Sequence, residues 1–163
     1  MVRPRISSPR RLGAIALVAS VVLLADQLTK DLALGHLRDG PVHLLGPLSL
    51  QLEFNSGIAF SLLSGIGAPL IALVVVVVLV VLLLGRAVPG RLGAVACGMV
   101  LGGALGNLAD RLFRASGEVV DFLHTSFWPT FNLADSCVVI GSLLLGAALL
   151  RVPHAACHQG EQT

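Results

Sequence analysis

The residues best suited to chemistry in this sequence are acids and amides that interrupt otherwise apolar stretches. Asp26, Asn107 and Asp135 each lie inside such a stretch, 15 or 16 residues from an arginine at its far end. At the helical rise of about 1.5 Å per residue, each side chain lies ~22–24 Å from that end. A bilayer's hydrocarbon core is roughly 30 Å thick, so three helices are predicted to place polar groups at one depth. A buried acid costs about 2.5–3.5 kcal/mol on insertion scales, so this coincidence indicates a functional site.

The acids differ in the partners that the sequence offers them. Asp26 precedes Lys30 by four residues, so a helix brings the two side chains together as an ion pair. Asp135 has no basic residue on its own stretch before Arg151. It needs a partner from elsewhere, and Asp121, in the loop predicted before the last stretch, is the best available one.

On the third apolar stretch, Asn107 and Arg111 are four residues apart and share a helical face, with Asp110 close to it. Asp110 and Arg111 can neutralise each other, which is a purely structural explanation for both.

Two carboxylates at a partly desolvated site share one proton and titrate with separated apparent pKa values. Aspartic proteolysis needs this arrangement, because one carboxylate takes a proton from water while the other donates one to the scissile carbonyl. No Ser–His or Cys–His arrangement lies at the same depth, so the sequence does not favour a covalent route. The histidines and cysteines are scattered or lie in the C-terminal tail. We therefore expect neither a metal nor a cofactor.

The composition is that of an integral membrane protein. Of 163 residues, 55% are hydrophobic and 12% charged, and the mean hydropathy is +0.89, whereas a soluble domain needs more polar surface. We predict an all-α polytopic membrane protein with four transmembrane helices, over residues 12–30, 67–84, 92–112 and 134–150. The net charge of +2 gives no support to nucleic-acid binding.

The basic residues predict the topology. Seven of the eleven flank one side, which the positive-inside rule assigns to the cytoplasm together with both termini. The basic start also resembles a secretory signal peptide. Its apolar run continues into Asp26 without a clear cleavage site, so we interpret it as a retained anchor. Residues 1–151 are then one membrane domain, and 152–163 a cytoplasmic tail.

The outer segment after the first helix is too long for a plain turn. Leu32–Leu37 predicts a short interfacial helix. Leu48–Phe54 alternates apolar and polar residues and predicts a half-buried strand. Asn55-Ser56-Gly57 predicts a turn, and Ile58–Leu62 a possible second strand. This β-rich cradle, about residues 41–64, is either a cap over the bundle or a platform that binds an extended peptide by strand addition.

Five sequence blocks together resemble the lipoprotein signal peptidases, or type II signal peptidases. The blocks are Asp26-Gln27-Leu28-Thr29-Lys30, Asn55-Ser56-Gly57-Ile58-Ala59-Phe60-Ser61, Gly102-Gly103-Ala104-Leu105-Gly106-Asn107-Leu108-Ala109-Asp110-Arg111, Val119-Val120-Asp121-Phe122 and Phe131-Asn132-Leu133-Ala134-Asp135. They occur in the family's order. One departure is the spacing between Arg111 and Gly117, where five residues stand and many members have fewer.

The resemblance implies that Asp121 and Asp135 are catalytic. It implies supporting positions at Asp26, Lys30, Asn55, Gly57, Asn107, Arg111, Asn132 and Ala134. The implied substrate is a prolipoprotein with a diacylglyceryl group on its cysteine, cleaved just before that residue. We expect a monomer in the bacterial plasma membrane, in contact with lipid, with the site toward the outer face.

Two other functions are compatible with parts of the sequence. A small four-helix transporter would use intramembrane acids for proton coupling, although it would place its key acid near the bilayer midplane. A non-enzymatic membrane subunit would use polar residues to hold helices together, which leaves Asp121 without a purpose.

Overall fold

Among the residues that the structure describes, three long helices form the membrane part. The structure is a computed structural model, and it describes residues 8–56 and 90–150. Helix α1 spans Ser8–His36, α2 spans Gly90–Phe113 and α3 spans Leu133–Leu150. All three are long and apolar enough to cross a membrane, which agrees with three of the four predicted spans. The remaining prediction, over 67–84, lies outside the described residues, as do Gly57, the strand predicted over Ile58–Leu62 and the tail.

The prediction of a separate interfacial helix over Leu32–Leu37 was wrong. Residues 32–36 continue α1 without a break, and the N–H of Leu37 still donates to the carbonyl of Ala33 at 2.9 Å. The physical reason is that no proline or glycine interrupts the chain between Lys30 and Gly35. The helix ends at His36, and the chain then turns at Gly40, which adopts a positive φ of 136°.

Helix α2 packs against both α1 and α3 through its glycines. A Cβ on Gly102 would lie 2.6 Å from the carbonyl oxygen of Ala19 on α1, and one on Gly106 would lie 2.5 Å from Oδ2 of Asp26. Small residues let the backbones of membrane helices approach closely. At Gly106 the missing side chain also makes room for a carboxylate.

A four-stranded antiparallel sheet covers one end of the bundle. Its strands are β1 (Val42–Leu45), β2 (Leu48–Asn55), β3 (Val119–Thr125) and β4 (Trp128–Phe131), in the order β1-β2-β3-β4. The predicted strand over Leu48–Phe54 is thus confirmed as β2. The sheet is larger than the cradle predicted over residues 41–64, because β3 and β4 come from the segment between α2 and α3.

Asp121 was predicted in a loop, and this was wrong. It lies on strand β3, opposite Glu53 of β2. Val119 and Val120, which precede it, are β-branched residues that favour a strand, and both are buried.

The sheet rests on the end of α1. Leu50, Leu52 and Leu123 pack against a buried cluster formed by Ala33, Leu37 and Phe122. The strict alternation predicted for β2 is not seen in its burial, since Ser49 is buried and Phe54 is exposed. The pairing of β2 with β3 also shifts register between Leu50 and Glu53.

Candidate active site

Asn132 connects the two aspartates of the predicted dyad. Its side-chain amide donates to Oδ1 of Asp121 at 2.6 Å, and its backbone N–H donates to Oδ2 of Asp135 at 3.2 Å. Asp121 comes from the sheet and Asp135 from the first turn of α3. One residue thus brings together carboxylates from two different layers of the molecule.

The same residue caps α3. Oδ1 of Asn132 accepts a hydrogen bond from the backbone N–H of Asp135 at 2.9 Å, while the Asp135 carboxylate accepts one from the backbone N–H of Asn132. This reciprocal pair is a capping box, with asparagine and aspartate in the places where serine and glutamate are common. The capping pattern was a sequence signal for the site that the sequence analysis did not use.

Two further amides complete the surroundings of the dyad. Asn107 donates to Oδ1 of Asp135 at 2.7 Å, and Asn55 donates to Oδ2 of Asp121 at 3.1 Å. In the described part of the chain, no lysine or arginine makes an ion pair or hydrogen bond with either carboxylate. Both acids are therefore bound by neutral donors alone.

Burial raises the pKa of Asp121 from the usual 3.8 to about 6. The hydrogen bond from Asn55 opposes this rise, and the negative charge of Asp135 adds to it. The Asn132 amide and the charge of Lys30 also act to lower the pKa. Asp121 is consequently suited to hold a proton at a higher pH than an ordinary aspartate.

A second cluster, which we call the lysine cluster, consists of Lys30, Asp26 and Asp110. Nζ of Lys30 lies 2.8 Å from a carboxylate oxygen of each aspartate, and all three side chains are fully buried. The same Nζ donates to Oδ1 of Asn107 at 2.9 Å. Because Lys30 donates to the side-chain oxygen of Asn107, the amide N–H group of Asn107 is directed toward Asp135. The lysine cluster and the dyad are thus connected through one asparagine.

Asp26 also fixes the start of α3. Its Oδ1 accepts the backbone N–H of Ala134 at 2.9 Å, where a negative charge complements the helix dipole. Ala134 itself has a fully buried side chain. Asp26 and Ala134, both predicted as supporting positions, therefore contact each other beside Asp135. Asp26 contributes its carboxylate and Ala134 its backbone N–H group.

The sequence analysis missed the role of Asp110. It was interpreted as a partner of Arg111, but it pairs with Lys30 and with Arg114, whose Nε lies 2.8 Å from Oδ1. Its Oδ2 also accepts the backbone N–H of Val120 at 3.2 Å, directly before Asp121. Asp110 therefore ties β3 to α2. The four-residue spacing to Arg114 was the available signal.

The five residues between Arg111 and Gly117 have a structural use. The intervening residues supply Arg114, which contacts both Asp110 and Asp31. The turn closes where the N–H of Gly117 donates to the carbonyl of Arg114, with a positive φ of 67° that favours glycine.

Arg111 does not contact the dyad. Its Nη1 donates to the backbone carbonyl of Asn107 at 3.1 Å, so a direct bond to the aspartates is not seen and binding of substrate stays a prediction. Gly57 lies outside the described residues. Within the two described ranges, no group of three or more His, Cys, Asp or Glu side chains is placed to hold a metal ion.

Solved structures with this fold define the class of protein. Two of them, bacterial membrane enzymes determined by the in meso method at 1.9 and 2.3 Å resolution, superpose with a TM-score of 0.71 each. They share 26% and 25% sequence identity, cover 94% and 99% of this chain, and are themselves covered completely. The fold is that of a multi-pass membrane enzyme.

The family follows from the sequence comparisons. The family model for signal peptidase (SPase) II, Peptidase_A8, matches residues 18–151, and the chain belongs to this family of peptidases. It is 45% identical to the lipoprotein signal peptidase of Rhodococcus jostii, over 86% of this chain and 73% of that protein. It is 44% identical to that of Mycobacterium avium, over 87% and 81% respectively. These matches do not support the transporter hypothesis.

Proposed function

We propose that this protein is an aspartic endopeptidase that removes the signal peptide from diacylglyceryl-modified prolipoproteins, just before the lipidated cysteine. The observation that carries the proposal is that Asn132 binds both Asp121 and Asp135, and that the donors around them in the described residues are amides and backbone N–H groups. The substrate class is supported by the relatives, which are named lipoprotein signal peptidases.

The reaction begins with one proton on the pair. Asp121 holds it, because burial raises its pKa to about 6, and Asp135 acts as the base. Asp135 takes a proton from water while the water oxygen bonds to the scissile carbonyl carbon. At the same time, Asp121 donates its proton to the carbonyl oxygen.

The second half of the reaction restores the pair. The carbon–nitrogen bond of the tetrahedral diol breaks, and the departing amine takes the proton from Asp135. One diol hydroxyl returns its proton to Asp121 as the new carboxyl group forms. No covalent intermediate or metal ion is required.

The neighbours hold this geometry. Asn107 orients Asp135, and Asn55 orients Asp121. Arg111 uses one N–H group on the Asn107 carbonyl, and its guanidinium offers further donors for a substrate carbonyl.

The substrate backbone can pair with one edge of the sheet, the second half of β2. Strand β1 pairs only with Leu48–Leu50 of β2, so among the described residues the Gln51–Asn55 half has no strand on that side. This half lies beside Asp121 in the register and can accept an extended peptide by main-chain hydrogen bonds. The acyl chains of the substrate, at about 0.8 kcal/mol per buried methylene, hold the scissile bond at the membrane. The site opens toward the outer face of the bacterial plasma membrane.

The test uses purified protein in lipid with one precursor in two forms, before and after diacylglyceryl transfer. We expect cleavage of the modified form only, measured as a mobility shift on a gel. Asp121→Asn and Asp135→Asn should each reduce cleavage to background while the protein stays folded, because an amide cannot shuttle the proton. Asp39→Asn, at an exposed position, is the matched control and should be as active as the unchanged protein.

Two results would contradict the proposal. Turnover by either folded dyad variant would remove that residue from the pair. Equal cleavage of the modified and unmodified precursors would remove the lipid requirement.

A further inference from the structure

The end of the sheet opposite the dyad carries two hairpin turns side by side. Leu48 pairs with Thr125, so the β1–β2 turn and the β3–β4 turn are neighbours. At the other end, Asn55 pairs with Val119 beside the dyad. From Asp121 to Thr125 the strand extends about 13 Å, at roughly 3.3 Å per residue. The sheet therefore has a catalytic end and a distant end.

The distant end is strongly apolar and exposed. We call it the apolar tip, and it consists of Leu44, Leu45, Phe127 and Trp128. Leu45 is 83% exposed, Phe127 76% and Trp128 64%. Neither turn, over residues 44–47 and 125–129, contains a charged residue. An exposed apolar patch of this kind is typical of a surface that contacts another molecule or a membrane.

We propose that the apolar tip inserts into the lipid interface on the side of the membrane where the dyad lies. Tryptophan favours the level of the headgroups, where its ring is buried and its N–H remains hydrated. A protein partner usually meets a polar or charged rim around an apolar centre, and the two turns provide no charge for such a rim.

The position of the tip relative to the helices supports lipid as the occupant. Strand β4 leads directly into α3, whose first helical residue, Leu133, follows Trp128 by five positions. The outward side chains of α3 are also apolar and exposed, with Leu143 at 67%. Only one short strand, β4, therefore separates the apolar tip from a helix that is long and apolar enough to cross a membrane.

Insertion would hold the sheet at both ends. At the catalytic end, Asp110 and Asn132 tie β3 to the helices. At the other end the lipid interface would set the tilt of the sheet and hence the height of Asp121. This inference concerns membrane contact and does not depend on the proposed reaction.

The chain provides its own reporter, because Trp128 is its only tryptophan and it has no tyrosine. The protein is reconstituted in phosphatidylcholine vesicles with bromine near the headgroup, at mid-chain or at the chain end. Iodide in the buffer reports exposure to water. We expect the strongest quenching from bromine near the headgroup and weak quenching by iodide. A depth standard, Trp128→Phe with Leu143→Trp, should be quenched best by the deeper bromines.

Three results would overturn the proposal. Quenching by iodide alone would place the tip in water. Absence of quenching by every reagent would mean that protein covers the tip. A depth equal to that of the Leu143→Trp standard would exclude an interfacial position.

A pair of variants tests whether the apolar neighbours cause the insertion. Leu45→Ser with Phe127→Ser should abolish most of the headgroup-level quenching, shift the Trp128 emission to the red and increase quenching by iodide. Ser126→Ala, in the same exposed turn, removes no apolar group and should leave all three signals unchanged. Unchanged quenching in the double variant would contradict a role for these side chains.

Discussion

The lysine cluster and the dyad each contain two aspartates, yet they differ in what binds the carboxylates. Asp26 and Asp110 share the ammonium group of Lys30 in complete burial. Asp121 and Asp135 are bound by asparagines and backbone N–H groups. A shared ammonium group binds two carboxylates by ion pairing, whereas neutral amides position them and supply no opposite charge. The first arrangement is suited to structure and the second to chemistry.

The largest expected effect comes from removing the shared cation. Lys30→Met leaves two buried carboxylates without their common partner, and breaking a buried pair in this way costs about 3–5 kcal/mol. We expect a large decrease in the free energy of unfolding, measured by denaturation in detergent micelles. Arg38→Met, which removes an exposed cation, is the control. Equal stability of the Lys30 variant and the unchanged protein would show that the lysine cluster is not structural.

A smaller effect is expected at Asn132, where capping and dyad geometry can be separated. Asn132→Ala should lose the helix cap, which costs about 1 kcal/mol of stability. It should also lose the hydrogen bond to Asp121, which contributes about 1.5–3 kcal/mol to the transition state once Asp121 has given up its proton and is charged. Serine also caps helices but is too short to replace the amide at Asp121. Asn132→Ser should therefore recover stability without recovering turnover. Parallel recovery of both in thermal melts and cleavage assays would argue that Asn132 acts through the helix alone.

The dyad should also respond to pH, because Asp121 has to carry the proton that it donates. If Asp121 supplies the proton, kcat/KM falls as pH rises above about 6, the pKa of this carboxyl group, by about tenfold or ~1.4 kcal/mol per unit. The same shift affects folding. The Asp121 carboxyl group ionises near pH 3.8 in the unfolded chain and near pH 6 in the folded one. Asp121 therefore lowers the free energy of unfolding as the pH rises from 3.8 to about 6. Cleavage rates measured from pH 5 to 8 that show no such decline would exclude Asp121 as the acid.

The smallest expected effect is that of chelation. A water molecule activated by two carboxylates requires no ion, so EDTA should leave the cleavage rate unchanged. Loss of activity that zinc restores would replace the dyad mechanism with a metal-assisted one. The comparison is made on one enzyme preparation before and after dialysis.

Much of this arrangement follows from local sequence patterns. Apolar stretches of sufficient length predicted α1, α2 and α3, and the period-two alternation predicted β2. The equal depth of Asp26, Asn107 and Asp135 predicted their convergence, because a straight helix converts sequence spacing into distance. Those features depend only on residues that are near one another in the chain.

Features that depend on distant segments were not predictable in this way. The pairing of β2 with β3 joins two outer segments, so nothing local showed that Asp121 lies on a strand. Asp110 has an adjacent arginine, but its carboxylate instead binds Lys30 from α1 and Arg114 one turn further on. The tertiary structure decides which of several nearby cations a carboxylate binds, and the spacing within one helix does not show a partner from another helix.

The bond between Asp26 and the N–H of Ala134 joins residues 108 positions apart, and this separation has a consequence for biosynthesis. The ribosome makes Asp26 long before it reaches Ala134 and Asp135, which lie in the first turn of α3. Asp26, Lys30 and Asp110 can pair once α1 and α2 are in the membrane, whereas Asp121 and Asp135 meet only after α3 has been made. The start of α3 is consequently met by a carboxylate that the earlier helices have already placed.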